Sequence, residues 1–134
     1  MDMKREKIEV VAGILVNDFN KVLVAQRNDK SAFAGKWEFP GGKIQLGENP
    51  KQCLIRELYE ELSINIKINE FIEKLDYSYS SFDVSINFYK ASIVCGHINL
   101  NVHQKYKWVQ LDEIHSLDWL PANYEILNIL HKIV

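Results

Sequence analysis

Three carboxylates lie close together in the segment Gly42–Ile64, GKIQLGENPKQCLIRELYEELSI. Glu57, Glu60 and Glu61 are spaced i, i+3 and i+4, so a helix would place them on one face. Because like charges at this spacing disfavour a bare helix, a cation should lie over them. Carboxylate oxygens suit Mg²⁺ or Mn²⁺, which polarise phosphoryl oxygens and activate water. The spacing therefore predicts a metal site.

The flanks of these carboxylates fit a phosphate-containing ligand. Gly41 and Gly42 allow the backbone to approach a ligand closely, and Lys43 could meet a phosphate. Arg56 could hold Glu48 in a bidentate pair and so fix the preceding loop onto the helix. A solvated helix face, the simpler interpretation, does not account for these residues at their fixed distances.

The helix itself has a clear start signal. Asn49 is suited to the N-cap, Pro50 to the first helical position and Gln52 to a capping box. Leucines recur every four residues and predict a buried stripe, formed by Leu54, Leu58 and Leu62.

Most of the remaining chain is strand-like. Apolar or alternating runs predict strands at 8–16, 21–27, 37–39, 64–80, 83–95 and 106–110. Pro40, Gly41 and Gly42 are expected to break the third strand, and Ser80 and Ser81 to form a turn. Pro121 opens an expected last helix with an apolar stripe at Ile126, Leu127, Leu130 and Ile133. Without regular βαβ alternation, this order predicts an α+β fold with a mixed sheet between helices, an α/β/α sandwich.

Composition restricts the classes of function. The 134 residues, 47% hydrophobic and 25% charged, are typical of one soluble globular domain spanning 1–134. A net charge of −2 provides no basic surface for long nucleic acid. No apolar run approaches the roughly 18 residues of a membrane span, and MDMKREKIEV lacks the apolar region of a signal peptide, so a cytoplasmic protein is expected. Cys53 and Cys95 form neither a disulfide framework nor a zinc pattern and are expected to be buried apolar residues.

The segment resembles the Nudix box, Gly-x5-Glu-x7-Arg-Glu-U-x-Glu-Glu-x-Gly-U, where U is aliphatic. The matching residues are Gly42, Glu48, Arg56, Glu57, Leu58, Glu60, Glu61 and Ile64. Ser63 stands where the family has glycine, at a helix exit that often needs a positive φ. Serine there is expected either to cost about 1 kcal/mol or to make the helix leave differently.

The resemblance implies a Mg²⁺-dependent hydrolase that cleaves the diphosphate linkage of nucleotides. It implies metal ligation by Glu57, Glu60 and Glu61, assisted by a backbone carbonyl near Gly41. Glu57 would also position or deprotonate the attacking water, and Glu48 would be an outer ligand or the partner of Arg56. Nudix-fold binding modules without turnover usually lose box carboxylates, which this chain retains.

Outside the box, WEFPGGKIQLGE, IEKLDYSY and LPANYEI resemble the MutT branch, which hydrolyses 8-oxo-dGTP to the monophosphate and pyrophosphate. This implies that Asn123 hydrogen-bonds the purine edge, that Arg27 contacts the sugar or phosphate side, and that Phe39 lines the base pocket. The alternatives are that Asn123 caps the last helix, Arg27 is an exposed charge and Phe39 belongs to the core.

Two positions depart from that branch. Phe82 replaces a basic residue and could stack on a base. Val102, His103 and Gln104 lie where an acidic residue is often found. A histidine in a polar loop is expected to be ordinary surface, with positioning of water or phosphate as the alternative.

Other members of the family remain alternatives. They are a pyrophosphatase acting on CTP or methylated dCTP, and a dinucleoside polyphosphate or RNA-cap hydrolase. The ADP-ribose hydrolases are disfavoured because Tyr79 stands where they tend to carry proline. The expected substrate is a nucleoside triphosphate, and the expected assembly is a monomer or weak homodimer.

Overall fold

The computed structural model describes residues 5–134, so the first four residues of the expected domain lie outside it. Its main sheet has the strand order β4-β1-β6-β5. These strands are β1 (Glu6–Leu15), β4 (Gly41–Lys43), β5 (Asn65–Ser78) and β6 (Phe82–Cys95). β1 and β6 run parallel over their length, whereas β4 and β5 are antiparallel to their neighbours. The sheet is therefore mixed, as the sequence predicts.

A second, antiparallel sheet was not expected from the sequence. It has the order β3-β2-β7 and contains β2 (Val22–Gln26), β3 (Trp37–Glu38) and β7 (Lys105–Val109). β3 is only two residues long, and its pairing places Glu38 opposite Ala25. This pairing holds the segment just before the double glycine against β2.

Helical elements cover both faces of the main sheet. Helix α1 (Pro50–Leu62) buries its leucine stripe against one face of β1, where Val11 and Leu15 are inaccessible to solvent. The intervening β1 residue Ile14 points to the other face, against the C-terminal helical turns. Fully burying each leucine contributes about 1.5–3 kcal/mol. This arrangement confirms the α/β/α layering, and no helix in residues 5–134 has the length and hydrophobicity needed to cross a membrane.

The glycine turn differs from the expected break. Gly41 and Gly42 form a strand, β4, paired with Ala12 and Val11 of β1. A Cβ on Gly41 would lie 1.9 Å from the Val11 carbonyl oxygen, so only glycine permits this approach. Two glycines give no side-chain alternation, which is why the strand was not predicted.

The C-terminal region also differs from the expected single helix. It is divided into a 3₁₀ turn at Pro121–Asn123, one α turn, α2, at Tyr124–Leu127, and a second 3₁₀ turn at Leu130–Lys132. Asn128 and His131, which have low helix propensity, accompany the interruption. The predicted stripe is nevertheless buried, with Ile126, Leu127, Leu130 and Ile133 at most 9% exposed. A further 3₁₀ helix at Leu111–Ser116 was not predicted. Of the two cysteines expected to be buried, Cys53 is buried and Cys95 is exposed.

The predicted cap at the start of α1 is present, and its end is closed by a later loop. Asn49 and Gln52 form the capping box. At the other end Ser63 has φ 59°, the left-handed conformation expected where the family has glycine. The Asn101 side chain donates to the Glu60 carbonyl at 2.8 Å and to the Ser63 hydroxyl at 3.1 Å. The loop thus satisfies the Glu60 carbonyl in the last turn of α1 and holds Ser63, where the chain leaves the helix.

We expect Ser63→Gly to be more stable than Ser63→Ala by about 1 kcal/mol, since only alanine retains the Cβ that disfavours positive φ. Both variants lose the hydroxyl bonded by Asn101, so that loss cancels in the comparison. Urea denaturation of the two proteins measures the difference. Equal stabilities would show that the left-handed exit stores no strain.

Candidate active site

The double glycine places the backbone of β4 directly against the helix carboxylates. A Cβ on Gly42 would lie 2.3–2.6 Å from the carboxylate atoms of Glu57, so glycine leaves the space that this carboxylate occupies. Gly41, one residue earlier, lines the adjoining cavity. The turn and the helix therefore form one surface, as the spacing of the segment predicts.

Arg56 organises the carboxylates around it. It binds Glu48 in a bidentate pair at 2.6 and 3.0 Å, as predicted. Its Nη1 also donates to Glu57 at 3.0 Å and to Glu60 at 3.1 Å. This ion pairing lowers the pKa of Glu48 to about 2. The guanidinium of Arg56 thus offsets part of the negative charge of Glu57 and Glu60.

Glu61, unlike Glu57 and Glu60, has no ion pair within residues 5–134. Its Oε2 is buried and has no hydrogen-bond partner in residues 5–134. Burial, together with the nearby carboxylates of Glu57 and Glu38, raises the pKa of Glu61 to about 9. A cation at this point would offset the desolvation and the repulsion between the carboxylates.

These residues fit a hard divalent cation. The available donors are carboxylate and backbone oxygens, which suit Mg²⁺ and Mn²⁺ better than softer ions. Glu61, whose Oε2 has no partner in residues 5–134, lines the same cavity as Gly41 and Gly42. Within residues 5–134, no three Asp, Glu, His or Cys side chains are already gathered around a single point. The ligand set Glu57, Glu60 and Glu61 therefore stays a prediction.

The raised pKa of Glu61 predicts a pH-dependent stability in metal-free buffer. Between its usual pKa of 4.5 and about 9, the folded protein binds more protons than the unfolded chain. The contribution of Glu61 to the free energy of unfolding is therefore fully present below pH 4.5 and is lost as the pH rises towards 9. We expect the free energy of unfolding to fall across this window, and to fall much less in Glu61→Gln. Equal slopes for the two proteins, measured by urea denaturation at each pH, would contradict the assignment.

A largely apolar cavity of about 540 Å³ is lined by Glu61, whereas Glu57 and Glu60 are not part of its wall. Its wall also includes residues of the glycine turn and the predicted substrate residues, namely Gly41, Gly42, Lys43, Arg27, Phe39, Phe82 and Asn123. The structure thus brings all the predicted binding side chains to the wall of the same cavity. Its size suits a nucleotide-sized ligand.

Asn123 faces the cavity and does not cap the last helix. It is 3% exposed and occupies the N-cap position of α2, but its side chain makes no capping hydrogen bond. Its Oδ1 instead accepts from the backbone N–H of Phe39 at 3.4 Å. Phe39 satisfies both alternatives, because its ring packs on Trp119 and Phe88 in the core and the residue also lines the cavity.

Aromatic side chains form another part of the cavity wall. Phe82 stacks on Tyr79 with 5.0 Å between the ring centroids. The ring centroid of Phe33 lies 5.1 Å from that of Tyr79. The hydroxyl of Tyr79 accepts from the backbone N–H of Ala122, next to Asn123. The sequence did not assign Phe33 and Tyr79 to the cavity, although the alternation of the strand that ends near Tyr79 indicated a side-chain face.

A polar group of three residues, Arg27, Glu38 and His103, also lines the cavity. Arg27 is ion-paired with Glu38 at 3.1 Å and is not a free surface charge. His103, expected at the surface, has a side chain only 3% exposed and lies 2.8 Å from the other oxygen of Glu38. The surface assignment was wrong because β3 carries Glu38 under the loop. Glu38 itself was missed, although a lone carboxylate between Trp37 and Phe39 was a usable signal.

Comparison with known proteins places this geometry in a family. Residues 7–128 match a family model described as "NUDIX domain". An "8-oxo-dGTP diphosphatase" from Haemophilus influenzae is 33% identical, with 98% of this chain and 100% of that protein covered. A "CTP pyrophosphohydrolase" from Escherichia coli is 34% identical, with 90% and 88% covered. A crystal structure of a MutT protein from Methanosarcina mazei superposes with a TM-score of 0.88 at 22% identity, covering 98% of this chain and 97% of that one, which supports the fold.

Proposed function

Because the chain belongs to the Nudix family of hydrolases, which act on the diphosphate linkages of nucleotides, we propose that it converts a nucleoside triphosphate to the monophosphate and pyrophosphate. The observation that carries this proposal is a single cavity whose wall includes both Gly42, which contacts Glu57, and Asn123. A nucleoside triphosphate carries an anionic chain and a base, and residues suited to each line this cavity. The proposed assembly is a monomer or weak homodimer.

The proposed cofactor is Mg²⁺, with Mn²⁺ as a substitute. Glu57, Glu60 and Glu61 would hold it, together with a backbone carbonyl near Gly41. When bound, such an ion polarises a phosphoryl oxygen, neutralises developing charge and activates water. The orphaned Oε2 of Glu61 and the raised pKa of its carboxyl support this assignment.

The residues of the chain supply orientation and proton transfer. Arg56 holds Glu48 and directs the Glu57 carboxylate, so its bidentate grip keeps the loop on the helix during turnover. Glu57 orients the attacking water and accepts its proton. Lys43, at the exposed end of β4, meets the phosphate chain.

The favoured substrate is 8-oxo-dGTP or a related purine deoxynucleotide. The Asn123 amide carries both donors and an acceptor, so it can bind a purine edge that has both characters. Phe82 provides a face for base stacking, and Phe39 borders the same cavity. The relative from Haemophilus influenzae, named for 8-oxo-dGTP, supports this choice.

A second candidate is a pyrophosphohydrolase acting on CTP or a related pyrimidine nucleotide. It is supported by the Escherichia coli relative of that name, whose identity to this chain is 34%. The aromatic wall could stack on a pyrimidine as well as on a purine. Steady-state kcat/KM values for oxidised and normal nucleotides, each with Mg²⁺, decide between the candidates. A preference for 8-oxo-dGTP over both dGTP and CTP supports the first, and a preference for CTP overturns it.

Asn123→Ala is expected to lower kcat/KM for 8-oxo-dGTP at least about tenfold, the cost of a lost polar contact to the base. The exposed Asn128→Ala serves as the matched control and should leave the value unchanged. Both variants are assayed against 8-oxo-dGTP and dGTP. An unaltered preference for the oxidised base in Asn123→Ala would remove this residue from base recognition.

A further inference from the structure

Glu38 connects two residues that come from distant parts of the chain. One oxygen of its carboxylate accepts from Nη1 of Arg27 at 3.1 Å, and the other lies 2.8 Å from Nε2 of His103. All three residues line the cavity that also contains Glu61. Because both carboxylate oxygens are engaged from different sides, the orientation of Glu38 is fixed.

His103 is buried, unlike an ordinary histidine in a polar loop. Its side chain is 3% exposed, and Nδ1 is buried without a hydrogen-bond partner in residues 5–134. Burying an imidazole with an unpaired nitrogen costs free energy, which the bond to Glu38 offsets only in part. The loop is braced on both sides, since Asn28 donates to the Val102 carbonyl at 2.7 Å and Gln104 donates through its backbone N–H to Gln26 at 3.0 Å.

Arg27 is held with part of its guanidinium free. Its Nε donates to the Ala32 carbonyl at 2.7 Å and its Nη1 to Glu38. Its Nη2 makes no hydrogen bond to a protein group in residues 5–134. The guanidinium is therefore fixed by two bonds while a charged donor remains for an anion in the cavity.

We propose that Glu38 and His103 are positioning residues for Arg27, and that the pair orients its guanidinium towards the anionic side of the nucleotide. The inference rests on the proposed function and adds residues outside the Nudix box to its machinery. His103 acts through Glu38, which in turn fixes the angle of Arg27. Without His103, Glu38 would turn towards water and Arg27 would follow it.

The test compares substitutions by their effects on KM and kcat for the best nucleoside triphosphate. Arg27→Ala, Glu38→Ala and His103→Ala are each expected to raise KM about tenfold, with a smaller change in kcat, because the contact contributes to substrate binding. A variant that merely folds poorly would contain less active enzyme, so its apparent kcat would fall while KM stayed constant. His97→Ala, at an exposed histidine, is the matched control and should match wild type.

A double-mutant cycle separates positioning from an independent role. In the Arg27→Ala background, His103→Ala should raise KM by less than about twofold, since nothing remains to be positioned. Two independent contributions would instead multiply to about a hundredfold. His103→Gln retains a side-chain donor for Glu38 and should restore KM to within about threefold of wild type.

Three results would overturn the inference: an unchanged KM in His103→Ala, multiplicative effects in the double variant, or no rescue by glutamine. If His103→Ala does not fold, as judged by circular dichroism, the same cycle is run with Glu38→Ala, and multiplicative effects there overturn it equally. Absence of nucleoside triphosphate hydrolysis by the wild-type enzyme would overturn the proposed function together with this inference. Normal wild-type turnover with an unaltered KM in the variants would overturn the inference alone.

Discussion

Glu57→Gln is expected to lower kcat about a thousandfold, roughly 4 kcal/mol of lost transition-state stabilisation. Glutamine keeps the shape of the side chain beside Gly42 but removes the charge proposed to bind the cation and to accept a proton from water. It also keeps a side-chain oxygen that can accept from Arg56. The loss should therefore fall on catalysis and leave the fold intact.

The measurement is the initial rate of 8-oxo-dGTP hydrolysis at saturating Mg²⁺, with the thermal midpoint determined for the same sample. The exposed Glu125→Gln provides a control for the loss of one carboxylate and should retain wild-type kcat. If Glu57→Gln stays within about threefold of wild type, roughly 0.6 kcal/mol, Glu57 is neither a metal ligand nor a base.

Gly42→Ala is expected to reduce kcat/KM at least about a hundredfold while the protein remains folded. The new methyl group would occupy the place of the Glu57 carboxylate, which is the end of a side chain and can move away. Displacement of this group by about 1 Å is enough for a loss of this size. Such a result would show that the contact between turn and helix is needed for activity more than for stability.

Gly41→Ala provides the contrast for Gly42→Ala. Its methyl group would lie 1.9 Å from the Val11 carbonyl oxygen, where backbone must shift and the β1–β4 pairing is disturbed. We expect it to lower the free energy of unfolding by about 2–3 kcal/mol, as overpacking does. Urea denaturation and kcat/KM are measured for both variants, and similar stability losses with similar activities would contradict the separation of roles.

The sequence predicted the local parts of the site well, because the relevant spacing lies within one helix. Asn49 and Gln52 cap α1 as expected, and Arg56 meets Glu48 across a loop whose length is fixed by the chain. The left-handed conformation of Ser63 followed from its place at the helix exit. Each of these features depends on residues fewer than ten positions apart.

The remaining parts depend on strand pairing, which a single sequence does not specify. Glu38 and His103 are 65 positions apart and meet because β3 pairs with β2 while the loop before β7 folds over it. Nothing in the loop sequence distinguishes a buried histidine from a surface one. Similarly, β4 forms from two glycines that carry no periodic signal, and only its pairing with β1 brings Gly42 to Glu57.

The proposed reaction is the cleavage, in this cavity, of a nucleoside triphosphate into the monophosphate and pyrophosphate. The most direct test is to incubate the purified protein with 8-oxo-dGTP and Mg²⁺ and to separate the products by anion-exchange chromatography. Equal amounts of 8-oxo-dGMP and pyrophosphate are predicted, with neither formed by Glu57→Gln. Release of inorganic phosphate with accumulation of the diphosphate would contradict the claim.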